Sequence, residues 1–145
     1  MVQEGQIRIA IVGAGGLLGQ ELAEYFAGRP DARVDALAHR DIEITDPAGV
    51  RPALGRVRPD ILINCAAILD VDQCEREPAA CAAVNRDGVR NLLDAAAALA
   101  HPMTFVQVSS SEVFGRVREG EDLVNGYRED DEAFPASVYQ KSKKD

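Results

Sequence analysis

Basic residues are scarce in this chain: 16 lysines and arginines face 24 aspartates and glutamates, a net charge of -8 over 145 residues. That excess of negative charge repels nucleic acid and anionic membrane surfaces, so neither is expected as a partner. Long apolar runs are missing too, and none approaches the length that spans a bilayer. The opening residues, MVQEGQIR, lack the basic start and apolar core of a signal peptide. Cysteines are few, and Cys65, Cys74 and Cys81 form an odd set without a CxxC pair, the usage of reduced thiols in a cytoplasm. His39 and His101 lie far from them with no ligand spacing, so no metal is expected. There is no internal repeat and no low-complexity tract. What remains, 46% hydrophobic and 28% charged, is the composition of a soluble globular protein. Its length suits one domain, residues 1–145, around one core.

The stretch around which the chain is organised is Ile7 to Gly19, IRIAIVGAGGLLG. Ile7 to Val12 is apolar apart from Arg8, short enough for a buried strand. Gly13, Gly16 and Gly19 follow at intervals of three, and Leu18, Leu22 and Phe26 then recur every four residues, one apolar helix face. Strand, glycine turn and helix in that order predict a dinucleotide site, where amides at a helix N-terminus approach a pyrophosphate with no side chain between. Each glycine taken singly is also an ordinary turn residue. The GxxGxxG spacing differs from the GxGxxG fingerprint and resembles the glycine motif of short-chain dehydrogenases/reductases.

Gly28 and Pro30 supply a stop for that helix, and Arg33 to Ala38 reads as a second strand. Where a NAD site places an acid to hold the ribose 2′-hydroxyl, the chain has Ala38, followed by His39 and Arg40. An arginine there accommodates the 2′-phosphate of NADP. Solvation of a loop is the plainer role for both bases, and Asp41 stays a candidate for a ribose, so NAD is not excluded. Asp46-Pro47 starts a helix with Val50, Leu54 and Val57 as its stripe, and Pro52 predicts a kink or a shortened helix. Asp60 to Cys65 is a third strand, and the small Ala66 and Ala67 leave room for a flat ligand at its carboxyl end. From about Pro78 to Ala100 a helical period places Cys81, Val84, Gly88, Leu92, Ala96 and Leu99 on one face. Cys81 therefore reads as core, and Asn85, one residue off the stripe, reaches toward a neighbouring loop.

Met103 to Val108 is a further strand, ending in Ser109, Ser110 and Ser111. Arg116 to Glu132 carries seven acids against three arginines and reads as an exposed loop over the sheet's carboxyl edge. Ala136 to Asp145 is helical in composition, with Ser137 as its cap. Alternating strands and helices predict a parallel sheet covered on both faces, a doubly wound α/β sheet of Rossmann type with four strands and room for a fifth.

Tyr139 and Lys143 stand four apart and share one face of the last helix. An ammonium beside a phenol favours the phenolate, and such a tyrosine gives a proton to a carbonyl oxygen as hydride reaches the carbon. A serine hydroxyl opposite would hold that oxygen. YxxxK alone is more often an ordinary amphipathic face; joined to the glycine turn and the strand-ending serines, it points to catalysis.

Together GAGGLLG, INCAA, VSSSEVFG and YQKSK resemble the ordered motifs of extended short-chain dehydrogenases/reductases. IEITDP, RPDILINCAA and VDQCEREP are most similar to the dTDP-4-dehydrorhamnose reductase family within that group. The resemblance implies that Gly13, Gly16 and Gly19 contact the cofactor at its pyrophosphate; Leu17, Leu18, His39 and Arg40 are further cofactor-binding candidates. It places Glu43 and Ile44 beside the adenine, and Ala66, Ala67 and Asn85 toward the nicotinamide half; Cys65, next to them in sequence, is a further cofactor-binding candidate. Ser110 aligns with the catalytic serine or threonine, with Ser111 as the fallback, and Tyr139 and Lys143 match the catalytic pair and complete the cofactor contacts. The implied activity is NADP-dependent reduction of a nucleotide-linked 4-keto sugar. An epimerase or dehydratase of nucleotide sugars, and a non-catalytic NADP-binding subunit like the regulatory partner of methionine adenosyltransferase, are the alternatives. A homodimer stays open.

Val12 replaces the threonine common before the glycines, and Ile68 and Leu69 stand where that family carries polar residues. The family continues past its YxxxK helix into a substrate-binding portion. The chain is therefore expected to be an incomplete cofactor-binding domain, inactive alone, with the strand ending at Val108 left at a sheet edge.

Overall fold

The computed structural model describes residues 5–115 and 126–145. In order come β1 (Ile7–Val12), α1 (Leu17–Ala27), β2 (Ala32–Leu37), α2 (Pro47–Val57), β3 (Ile61–Asn64), α3 (Val71–Arg76) and α4 (Pro78–Ala82). A π turn (Ala83–Asp87), α5 (Gly88–Ala97), β4 (Thr104–Gln107), a 3-10 helix (Ser111–Phe114) and α6 (Val138–Lys144) follow. All strand pairings are parallel, in the order β2-β1-β3-β4. A parallel neighbour requires a crossover, and α1, α2 and α5 provide it, as the alternation of apolar runs and helical stripes predicts. The fold is α/β, and β4 stands at a sheet edge with Val106 exposed.

The chain divides into two compact units, the first of Met1–Ala67 with Asp87–Val108, the second of Ile68–Arg86 with Ser109–Asp145. In the first, Ile9, Ile11 and Ile63 point to one side of the sheet and receive Leu22 and Phe26 of α1, the stripe read from the sequence. Leu18, its first member, stays half exposed. Val50 and Leu54 of α2 are wholly buried. Asp46 caps that helix by accepting the Ala48 N–H at 3.1 Å. The expected shortening at Pro52 does not occur: the helix runs eleven residues through it and ends at Arg58, whose φ of 47° is left-handed. Pro52 forgoes one backbone bond, and the fully buried Val50 and Leu54 on either side outweigh that loss.

A separate short helix, α3, is capped by Asp70 accepting the Gln73 N–H at 2.7 Å. The long helix expected from Pro78 to Ala100 starts where expected and is corrected beyond that point. The helix ends at Ala97, and the π turn interrupts it. The buried positions are Cys81, Asn85, Gly88, Leu92 and Ala95, so Asn85 and Ala95 replace Val84 and Ala96 on the buried face. A π turn bonds i to i+5 and so shifts which residues face inward. In the second unit Cys74, Cys81 and Tyr139 form the core, with Ile68 and Val138 packed against it. None of the three cysteines is in a disulfide. The part of the acidic loop at 116–125 lies outside the described residues.

Candidate functional site

The glycine turn leaves β1 and enters α1 in the first unit. Gly13 has φ 79°, and a Cβ there would lie 2.6 Å from the Ala66 N and 2.8 Å from its Cα, so only glycine fits against the end of β3. A Cβ on Gly19 would meet the Gly13 carbonyl oxygen at 2.3 Å, so the first turn of α1 can close on the loop only without a side chain. Gly16 differs. Its φ is -84°, and a Cβ there would make an ordinary contact, 3.5 Å from the Gly13 oxygen. Nothing among the described residues requires glycine at 16, yet it is the N-cap of α1, where it has no side chain with which to cap an amide. The amides of the first helical turn have no partner inside the helix, and the surface above them is open: Leu17 is 83% exposed. This is the arrangement that admits a phosphate.

Beyond β2, His39 and Arg40 are strongly exposed and Arg40 borders an open groove of about 470 Å³ with Asp35, Asp41 and Arg56. The Asp41 carboxylate is engaged within its own turn, accepting the Ala38 N–H at 2.9 Å, which counts against its holding a ribose. Glu43 accepts the Thr45 N–H and hydroxyl at 3.0 and 2.8 Å and pairs with His39. The Thr45 amide first, then His39, hold its carboxyl down to about 2. Ile44 is 4% exposed, and its carbonyl accepts from Asn91 Nδ2 at 2.9 Å. Its side chain thus serves the core. At the end of β3, Cys65, Ala66 and Ala67 are half-buried. Asn64 is fully buried, with Oδ1 accepting the Ala66 N–H at 3.1 Å and Nδ2 donating to Gln107 Oε1 of β4 at 2.8 Å. This amide pair fixes the strand ends from which Ala66 emerges. Sequence reading missed it, although a polar pair at matching positions of two apolar strands was the available signal.

The second unit carries the serines, the tyrosine and the lysine. Ser110 caps the 3-10 helix, its Oγ accepting the Glu112 N–H at 3.2 Å. That bond uses an acceptor lone pair and leaves the O–H as a donor. Ser111 is exposed on the helix itself. Tyr139 and Lys143 both lie on α6, whose N-terminus has a full capping box: Ser137 Oγ accepts the Gln140 N–H at 3.1 Å, and Gln140 Oε1 accepts the Ser137 N–H at 3.1 Å. Tyr139 is 7% exposed, packed beside Cys74 and Cys81. Burial pushes the Cys74 thiol up to about 12, so it is an inert core group. Asn85 reaches the loop expected of it. Its Oδ1 accepts the Ile68 N–H at 2.8 Å, while Nδ2 donates to the Ile68 carbonyl at 2.9 Å and to Ser142 Oγ at 3.0 Å. Ser142 donates to the Tyr139 carbonyl at 2.7 Å, so one buried amide links the loop after β3 to the tyrosine's own turn. Ser142 too was missed; a serine three residues beyond Tyr139 gives no periodic signal.

No group of three or more metal-ligating side chains gathers among the described residues, and no helix there is long and apolar enough to cross a membrane. The curated relatives include a dTDP-4-dehydrorhamnose reductase of Streptomyces griseus, 39% identical over 136 residues, 91% of this chain and 41% of that protein. The chain thus spans about two fifths of the length of that relative. A solved dTDP-4-dehydrorhamnose reductase of Bacillus anthracis, in complex with NADP, is 29% identical with a TM-score of 0.87, over 99% of this chain and 48% of the other. Another, from Clostridium acetobutylicum, is 33% identical with a TM-score of 0.83, over 94% and 46%. The family model described as RmlD substrate binding domain matches residues 7–145, nearly the whole chain, and the chain belongs to that family.

Proposed function

We propose that this chain is the cofactor-binding part of an NADP-dependent reductase acting on a nucleotide-linked 4-keto sugar, a reading in line with relatives named dTDP-4-dehydrorhamnose reductase, one of them solved in complex with NADP. The observation that carries the reading is Gly16, a glycine the fold does not need, at an uncapped helix start where a phosphate has access to backbone amides. Gly13, Leu17, Leu18 and Gly19 complete that turn. Arg40 is the group for the 2′-phosphate, with His39 beside it; Cys65, Ala66 and Ala67 line the end of β3. When bound, the cofactor supplies the hydride. Tyr139 gives its hydroxyl proton to the substrate's carbonyl oxygen, Ser110 donates its O–H to the same oxygen, and Lys143 supplies positive charge beside the phenol. Turnover belongs to a protein of the relatives' length, and the substrate is a nucleotide sugar.

Titration of NADPH and NADH into the chain tests this. NADPH is expected to bind more tightly, and Arg40→Ala to weaken NADPH by about 1–3 kcal/mol with NADH hardly changed. Equal losses for both cofactors would remove Arg40 from the 2′-phosphate, and no binding of either would remove the reading.

A further inference from the structure

Within the second unit a run of hydrogen bonds connects Ser110 to the start of the tyrosine helix. The Glu112 N–H donates to Ser110 Oγ at 3.2 Å, and the Glu112 side chain accepts, on Oε2, from Gln140 Nε2 at 2.9 Å. The other end of the same Gln140 amide, Oε1, accepts the Ala136 and Ser137 N–H groups at 2.7 and 3.1 Å. Next to it the Val138 N–H donates to Glu75 Oε1 at 2.8 Å. Glu75, Glu112, Ser137 and Gln140 meet at an open groove of about 320 Å³ with Val71 and Ala136, so the connection lies at the surface of the unit and apart from its Cys74–Cys81–Tyr139 core.

Resting on the reductase reading above, we propose that Glu112 and Gln140 are positioning residues: their side-chain bond ties the Ser110 turn to the helix of Tyr139 and so sets where the serine hydroxyl and the phenol stand relative to each other. The 3-10 helix is only four residues long and cannot hold Ser110 by itself. A proton donor and a hydrogen-bond donor that must meet one oxygen atom lose rate steeply when displaced by an ångström. Gln140 suits the task because its amide has two faces, an oxygen for the helix cap and an NH2 for Glu112.

Q140E separates these two uses. The new carboxylate still accepts the Ala136 and Ser137 N–H groups, so the cap survives, but it faces Glu112 with like charge and no donor. Amide hydrogen exchange of the 145-residue chain should then quicken about tenfold at Glu112, Val113 and Gly115. In a protein of the relatives' length that carries this chain, kcat should fall by about tenfold while the KM for NADPH holds. The swap E112Q/Q140E restores a donor facing a carboxylate, now in the opposite sense, and should bring both readouts back to within about twofold of the parent. E112A, which leaves α6 untouched, should repeat the Q140E losses and covers the case in which Q140E folds poorly. Parent-like exchange and kcat in Q140E and E112A, or a swap no better than Q140E alone, would overturn the clamp. A parent protein that reduces no keto sugar would overturn the reductase reading, and the exchange comparison would still decide whether Gln140 and Glu112 hold the two segments together.

Discussion

The two units are held by different physics. In the first, an isoleucine-rich sheet face meets a helix stripe, and the turn that feeds the helix is dictated by backbone crowding at Gly13 and Gly19. In the second, the core is two thiols and a tyrosine, and a buried amide and hydroxyl, Asn85 and Ser142, bind loop, π turn and helix together. Apolar burial is non-directional and tolerates small shifts, whereas a buried hydrogen-bond network holds only in one geometry. In the first unit direction fixes the strand ends alone, through Asn64 and Gln107, whereas in the second it runs through the core beside the candidate catalytic groups.

The sharpest break in that contrast is Gly13→Ala. The added methyl would face both a left-handed φ and the Ala66 backbone at 2.6 Å, and we expect a loss of about 2–5 kcal/mol in denaturant unfolding. A loss below 1 kcal/mol would mean the turn can relax and the crowding argument is wrong. Asn85→Ala attacks the second unit, taking its side-chain partner from the Ile68 N–H and one bond each from the Ile68 carbonyl and Ser142 Oγ, which keeps its bond to the Tyr139 carbonyl. The expected cost is about 2–3 kcal/mol, with hydrogen exchange rising in 68–86 and α6 and not in β1. Uniform exchange across both units would deny them separate supports. Gly16→Ala should cost under about 1 kcal/mol, since its methyl meets only an ordinary contact, yet it should weaken NADPH severalfold. Unchanged affinity would take the phosphate away from that helix start.

The smallest effect is that of acid. Glu43 is held down to about 2 by the Thr45 amide and His39, and Asp60 lies below the usual carboxylate range because Arg8 donates to it. A carboxyl with a lowered folded pKa contributes stability above its unfolded value, near 4, and loses it as pH falls through the folded one. Unfolding midpoints should therefore fall gently between about pH 4 and 2. Both groups are partly exposed, so solvent screening keeps the change small. A midpoint that is flat over that range would show the two acids to be energetically idle.

Much of the first unit was legible in the sequence because its determinants are local. The β1 bounds, the Asp46 cap and the Gly28 stop follow from residue type and spacing alone. Ser137 was readable in the second unit for the same reason. What escaped was long-range. The π turn at Asn85 depends on partners 17 and 57 residues away, Ile68 and Ser142, which no helical period encodes. The Asn64–Gln107 pair joins two strands across 43 positions, and Pro52 obeyed its packing over its propensity. For the candidate site, the glycines and the YxxxK pair stood out by motif; the Glu112–Gln140 and Asn85–Ser142 bonds did not.

Gly16 has a consequence for anyone who would improve this molecule. As the N-cap of an eleven-residue helix it is a weaker choice than serine or aspartate, which would satisfy an amide and add a few tenths of a kcal/mol. A screen for thermal tolerance alone would therefore exchange it early, and an acidic replacement would also occupy, with its own charge, the place we propose for a phosphate. The residue is a small standing sacrifice of stability, and libraries selected for heat and for cofactor retention should part company first at position 16.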